Sequence, residues 1–189
     1  MKNQFLLFVC ALYVFSFSVF AKASSSKKTS NHDDFETVYD DVTDATRITH
    51  SDMELSYLYN LKDSLSGERE NIRLLIINGW LAMTADYQNR NWLFIDSVVF
   101  LDGKGGRLKI ADGKQNGEVN KIGNTFIREK YTALLKDDMA SALYDILQAE
   151  KPTVTFIGSK GRTDKLVIKP KVKTAMIATI EKWRQVQNE

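Results

Sequence analysis

Asp86 and Asp96 are the two carboxylates that could support chemistry in this chain. Paired carboxylates need no histidine: one protonates a leaving group while the other activates water or attacks a sugar carbon. Asp96 lies inside WLFIDSVVF, the most apolar run outside the N-terminus. Asp86 precedes the polar stretch QNRN, and a turn centred near residue 89 would set the two aspartates on neighbouring strands. Trp80 and Trp92 flank this region and could stack on sugar rings. Together these residues define one reading, a carboxylate-based hydrolase of envelope polysaccharide.

A structural reading of Asp96 competes and is preferred. On a strand, Trp92, Phe94, Asp96, Val98 and Phe100 share one face, while Leu93, Ile95, Ser97, Val99 and Leu101 share the other. Both faces are apolar, as in a strand covered on both sides. A carboxylate buried there must be paired, hydrogen-bonded or protonated. Arg73, Arg90 and Arg107 are the available partners. The remaining alternative is a bulge that turns Asp96 to solvent.

Other chemistries fail on spacing, so no catalytic, cofactor-binding or metal-binding residue is assigned. LDGKGGRLKIADGKQNG repeats Asp-Gly-Lys, but no Ser or Thr follows a GK, as a phosphate loop requires. Counted from Asp102, positions three and five are Lys104 and Gly106, which defeats an EF-hand reading. Turn chemistry accounts for these glycines. His32 and His50 lack zinc-site spacing. His50-Ser51-Asp52 has triad residue types, but adjacent strand residues point to opposite faces.

The N-terminus reads as an export signal. Lys2 precedes an apolar run over residues 5 to 20, followed by Ala21-Lys22-Ala23. That run is shorter than the roughly 20 residues of a membrane span. Cys10, the single cysteine, lies within it, so the mature chain carries no thiol chemistry and no disulfide. Localisation is expected to be periplasmic or secreted, with no membrane span after cleavage. Removing Lys2 and Lys22 from the 26 bases leaves a chain balanced against its 24 acids.

Charge is unevenly placed along that neutral chain. Residues 33 to 63 are acidic, while Lys160, Arg162, Lys165, Lys169, Lys171 and Lys173 cluster near the C-terminus. This basic cluster is the possible patch for an anionic partner, an envelope protein or an anionic surface. Nucleic acid is not expected, because no aromatic residues interleave with the basic ones and the protein is exported.

Three segments follow: a signal peptide over residues 1–23, a polar acidic tether over 24–45, and a single domain over 46–189. Met53, Leu55, Tyr57 and Tyr59 would share a strand face. Strand-like runs continue to residue 110, with a bulge or bend at Gly79, and ADGKQNGEVNKIGN reads as a polar connection. Tyr131, Leu134, Leu135, Met139, Leu143, Ile146 and Leu147 form a helical stripe. A hairpin turns at Lys160-Gly161, and Pro170 starts a last helix whose apolar face holds Val172, Met176, Ile180 and Trp183. The expected class is α+β: a mainly antiparallel sheet of about six strands, with two amphipathic helices on one face. The functions consistent with this are a non-catalytic exported domain that binds an envelope macromolecule, the hydrolase, or a structural subunit of an envelope assembly. Cleavage after Ala23 is expected on export; intact mass of the exported protein checks it, and a chain retaining Cys10 would refute it.

Overall fold

The computed structural model describes residues 29–30, 34–40, 43–55, 69–120 and 126–188. The signal segment, Tyr57 and Tyr59 lie outside them. The elements are β1 (Thr29–Ser30), β2 (Phe35–Asp40), β3 (Ala45–His50), α1 (Ser51–Leu55), β4 (Arg69–Ile77) and β5 (Trp80–Asn89). There follow β6 (Ile95–Leu101), β7 (Arg107–Ile110), β8 (Lys114–Asn120), β9 (Phe126–Leu134) and α2 (Asp137–Leu147). The chain closes with β10 (Thr153–Gly158), β11 (Gly161–Arg162), β12 (Leu166–Val167) and α3 (Pro170–Val186).

The class is α+β with antiparallel pairing, but the strands form two sheets rather than one. A seven-stranded sheet runs β1-β2-β3-β4-β5-β9-β8, and a five-stranded sheet runs β11-β10-β6-β7 with β12 also on β10. The helices divide between them: α3 packs on β3, β4 and β5, while α2 packs on β6 and β7 and against α3. One core joins these layers, with Leu74, Met83 and Tyr131 from the large sheet, Phe100 and Phe156 from the small one, and Leu143, Met176 and Trp183 from the helices. No described helix is long and apolar enough to cross a membrane.

Local chemistry explains the boundaries. The apolar run from residue 71 to 87 breaks into a hairpin at Asn78-Gly79, where φ is +48° and +80°. Both values suit the tight turn that matches strand twist, and Asn and Gly tolerate them best. Gly79 is therefore a hairpin turn and not a bulge. Asp102 closes the next reversal by accepting the N–H groups of Lys104 at 2.7 Å and Gly106 at 2.8 Å. Pro170 occupies the first turn of α3, as expected. The last helix buries Ala175, Met176, Ile180 and Trp183, and the Thr179 hydroxyl donates to the Ala175 carbonyl at 2.8 Å.

Four readings need correction. Residues 35–40 are not a tether, because β2 pairs with β3 along its whole length, from Phe35↔His50 to Asp40↔Ala45. Met53 is fully buried, but on the short helix α1 rather than on a strand. Lys114–Asn120 is the edge strand β8 rather than a connection. Tyr131 and Leu134 belong to strand β9, and helical structure begins only at Asp137. Ile127, Tyr131, Ala133 and Leu135 are buried at period two, and the helical spacing was a coincidence of a strand running into a helix.

Glu129 holds the two sheets in register. It is fully buried on β9, yet its carboxylate accepts three hydrogen bonds. Leu93 N–H donates to Oε1 at 2.5 Å, Ile95 N–H to Oε2 at 3.0 Å, and the Gln115 side-chain amide to Oε2 at 2.7 Å. These donors come from the lead-in to β6, from its first residue and from β8, so one side chain on β9 ties three segments. Charge-assisted bonds of this kind are roughly twice as strong as neutral ones. Glu129→Ala would leave the donors buried without that acceptor, at about 1–3 kcal/mol each. A fall in unfolding free energy of at least ~3 kcal/mol is expected from urea melts, against a total of roughly 5–15 kcal/mol. A melt unchanged from wild type would refute this role.

Candidate functional site

The large sheet turns Arg73, Thr84, Asp86, Arg128 and Lys130 to one side, opposite the core residues Leu74, Met83, Ala85 and Tyr131. Asp86 is the paired buried aspartate that the sequence suggested for Asp96. Its Oδ2 accepts from Arg73 Nη2 at 3.0 Å and its Oδ1 from Arg128 Nη2 at 3.2 Å. Lys130 stands directly opposite Asp86 across the ladder. Its ammonium pKa is lowered, chiefly by packing around the stem; Asp86 opposes this, and Arg73, Arg128 and Arg47 add to it. With both oxygens engaged by guanidinium groups, the carboxylate serves as a structural counterion and offers no free oxygen toward a substrate.

Asp96 is exposed. Ser97 pairs with Ile157 and Ile95 pairs with Gly158, so Asp96 is the extra residue of a β-bulge. The bulge rotates it out of the apolar face, and the Ser97 hydroxyl donates to its Oδ1 at 2.7 Å. The buried reading fails because strand alternation was carried through a residue that the ladder skips. Asp86 and Asp96 lie on different sheets, so they do not form a pair of facing carboxylates. His50 is buried; its Nδ1 accepts the Asp52 N–H at 3.1 Å and Phe35 packs edge-on to its ring, so it closes the start of α1. Among the described residues, no group of three or more His, Cys, Asp or Glu is placed to hold a metal.

The aromatic candidates part company. Trp80 and Trp92 are separated by β5, a span on the order of 30 Å. Trp80 is half exposed at the rim of an open cleft of about 690 Å³ with Trp183, Gln187, Asp137 and Asp138. Trp92 stacks on Phe94, with ring centroids 5.2 Å apart and planes within 10°. Phe94 is 39% exposed and holds φ at +54°, a left-handed value that bulky side chains disfavour. Its two neighbours are the residues whose N–H groups Glu129 accepts, so the buried carboxylate enforces this conformation. Sequence reasoning missed Glu129 and the role of Phe94. The available signal was Glu129 alone on the apolar face of Ile127, Tyr131, Ala133 and Leu135.

The small sheet organises the basic cluster. β11 and β12 both run against β10, so Lys160, Arg162 and Lys165 lie along one edge, exposed. Lys169 is exposed at the other end of β10, just before α3, where Ile168 N–H bonds the Pro152 carbonyl at 2.9 Å. The set therefore stretches roughly 20 Å, the length of a six-residue strand. Lys171 instead pairs with Asp52 at 3.0 Å, and Lys173 donates to the Ala149 carbonyl at 3.1 Å. These two are spent largely on attaching α3.

No protein-family model matches the chain, no curated protein matches it, and no solved structure matches it.

The two aspartates should separate cleanly in urea melts. Asp86→Ala leaves two guanidinium groups without their shared acceptor and should cost about 2–3 kcal/mol, between exposed and fully buried pairs. Asp96→Ala should stay within about 0.5 kcal/mol of wild type, as exposed substitutions do. Equal losses would contradict the assignment.

Proposed function

We propose that this protein is an exported, non-catalytic domain that binds an anionic macromolecule of the cell envelope, in the periplasm or outside the cell. The observation that carries the reading is the exposed row of Lys160, Arg162 and Lys165 along the β10 edge, continued by Lys169. Cations on a sheet edge also discourage strand addition by another chain. That structural use does not require the strained aromatic residue that stands beside the row. Ser159 N–H bonds the Phe94 carbonyl at 3.3 Å and Lys160 N–H the Leu93 carbonyl at 3.2 Å, which brings the basic hairpin against Phe94. Aromatic and basic residues that are far apart in sequence thus adjoin.

The hydrolase reading loses support, since Asp86 is engaged by two arginines and Asp96 stands on the other sheet. A structural envelope subunit would share the export signal and differ in being obligately oligomeric. Reversing Lys160, Arg162 and Lys165 to Glu should abolish retention on immobilised polyanions while leaving the thermal melt nearly unchanged. Wild-type retention should fall steeply with salt, as exposed charges are screened within about 10 Å at 0.1 M. Undiminished retention of the reversed variant would sink the reading.

A further inference from the structure

We propose that the anionic partner is an acidic polysaccharide, gripped at the corner where the Lys160-Gly161 hairpin is bonded to the backbone of Leu93 and Phe94. This rests on the reading above and names its ligand class. Two features meet there. The first is a flat apolar surface. Trp92 backs Phe94 in near-parallel stacking, which leaves the other side of the Phe94 ring toward solvent at 39% exposure. Such a face suits the carbon-bound hydrogens of a pyranose ring, which lie together on one side of the sugar.

The second feature is positive charge. Lys160 and Arg162 are exposed on the hairpin whose backbone bonds Leu93 and Phe94. A ligand offering ring faces and acid groups together matches both; an acidic peptide offers the acid groups without the sugar-ring faces. Strand addition by a peptide is also poorly served, because the edge is interrupted between β11 and β12, where the Thr163 hydroxyl takes the Phe156 N–H at 3.1 Å.

The backbone indicates that this presentation is enforced rather than incidental. Phe94 sits at φ +54°, where glycine or asparagine would rest more easily. Strained residues that the surroundings over-determine gather at binding sites. Here the surroundings are the Glu129 carboxylate on one side and the β10 hairpin on the other. Gly158 is required for the latter, since a Cβ there would collide with the Leu93 and Phe94 carbonyls.

Strain supplies the test, because it separates function from stability. Phe94→Gly relieves the left-handed backbone, so its melting temperature should equal or exceed wild type. Its affinity for polygalacturonate, measured by calorimetry at low salt, should fall by about tenfold or more, that is ~1.4 kcal/mol. Binding of polyglutamate, which needs only the basic row, should be weaker than polygalacturonate in wild type and unaffected by Phe94→Gly. If Phe94→Gly folds poorly, Phe94→Asn tolerates the same φ and serves in its place. Wild-type affinity of these variants for polygalacturonate would overturn the proposal, as would equal wild-type binding of polyglutamate, which would mark an acidic protein as partner. Binding to neither polymer would overturn the anionic-partner reading as well.

Discussion

The whole arrangement depends on a carboxylate placed where water does not reach. Glu129 is fully buried, and an ionised group there is tolerable only if its oxygens are satisfied by nearby donors. Two of those donors are backbone N–H groups flanking Phe94, and the third is Gln115 on the edge strand. Satisfying them requires the lead-in to β6 to bend over β9, which is how the chain leaves the large sheet and starts the small one. Accepting the N–H groups on both sides of Phe94 also goes with its left-handed backbone, since that conformation turns flanking N–H groups toward one point. The bulge at Asp96 and the close approach of Gly158 follow in the next few residues.

Asp86 solves the same problem differently. It lies on the opposite side of the large sheet and is compensated by two guanidinium groups rather than by backbone donors. The cations come from β4 and β9, the two neighbours of β5, so the cluster stitches three adjacent strands. Both buried acids are thereby committed to architecture. Asp96, by contrast, is expelled by the ladder and exposed, where it accepts the Ser97 hydroxyl.

The small sheet gives the surface its character. Its outer edge is short, interrupted and basic, and its hairpin tip is pinned to the backbone that carries Phe94. A rigid aromatic face needs support from behind, which Trp92 provides by stacking. It also needs a fixed backbone, which Glu129 provides from within. The buried acid thus sets the exposed ring through the backbone on either side of it.

Much of the architecture was legible in local pattern. The α+β class, the hairpin at Lys160-Gly161, the turn at Asp102 and the last helix from Pro170 all rest on short-range rules: turn residues, φ preferences and a repeating apolar face. The Asn78-Gly79 hairpin was equally local and was overlooked, because an unbroken apolar run hid the turn. Tertiary structure alone decided the rest. Whether β5 and β6 share a sheet depends on where Glu129 finds its donors, some 34 to 36 residues away. Whether Asp86 or Asp96 is buried depends on which strand takes a bulge, and a bulge needs a partner strand, here β10. Alternation along one segment determines which residues share a face only while the ladder stays regular. The exceptions, which make the candidate site, are created by pairing between distant segments and have no signature within either segment alone.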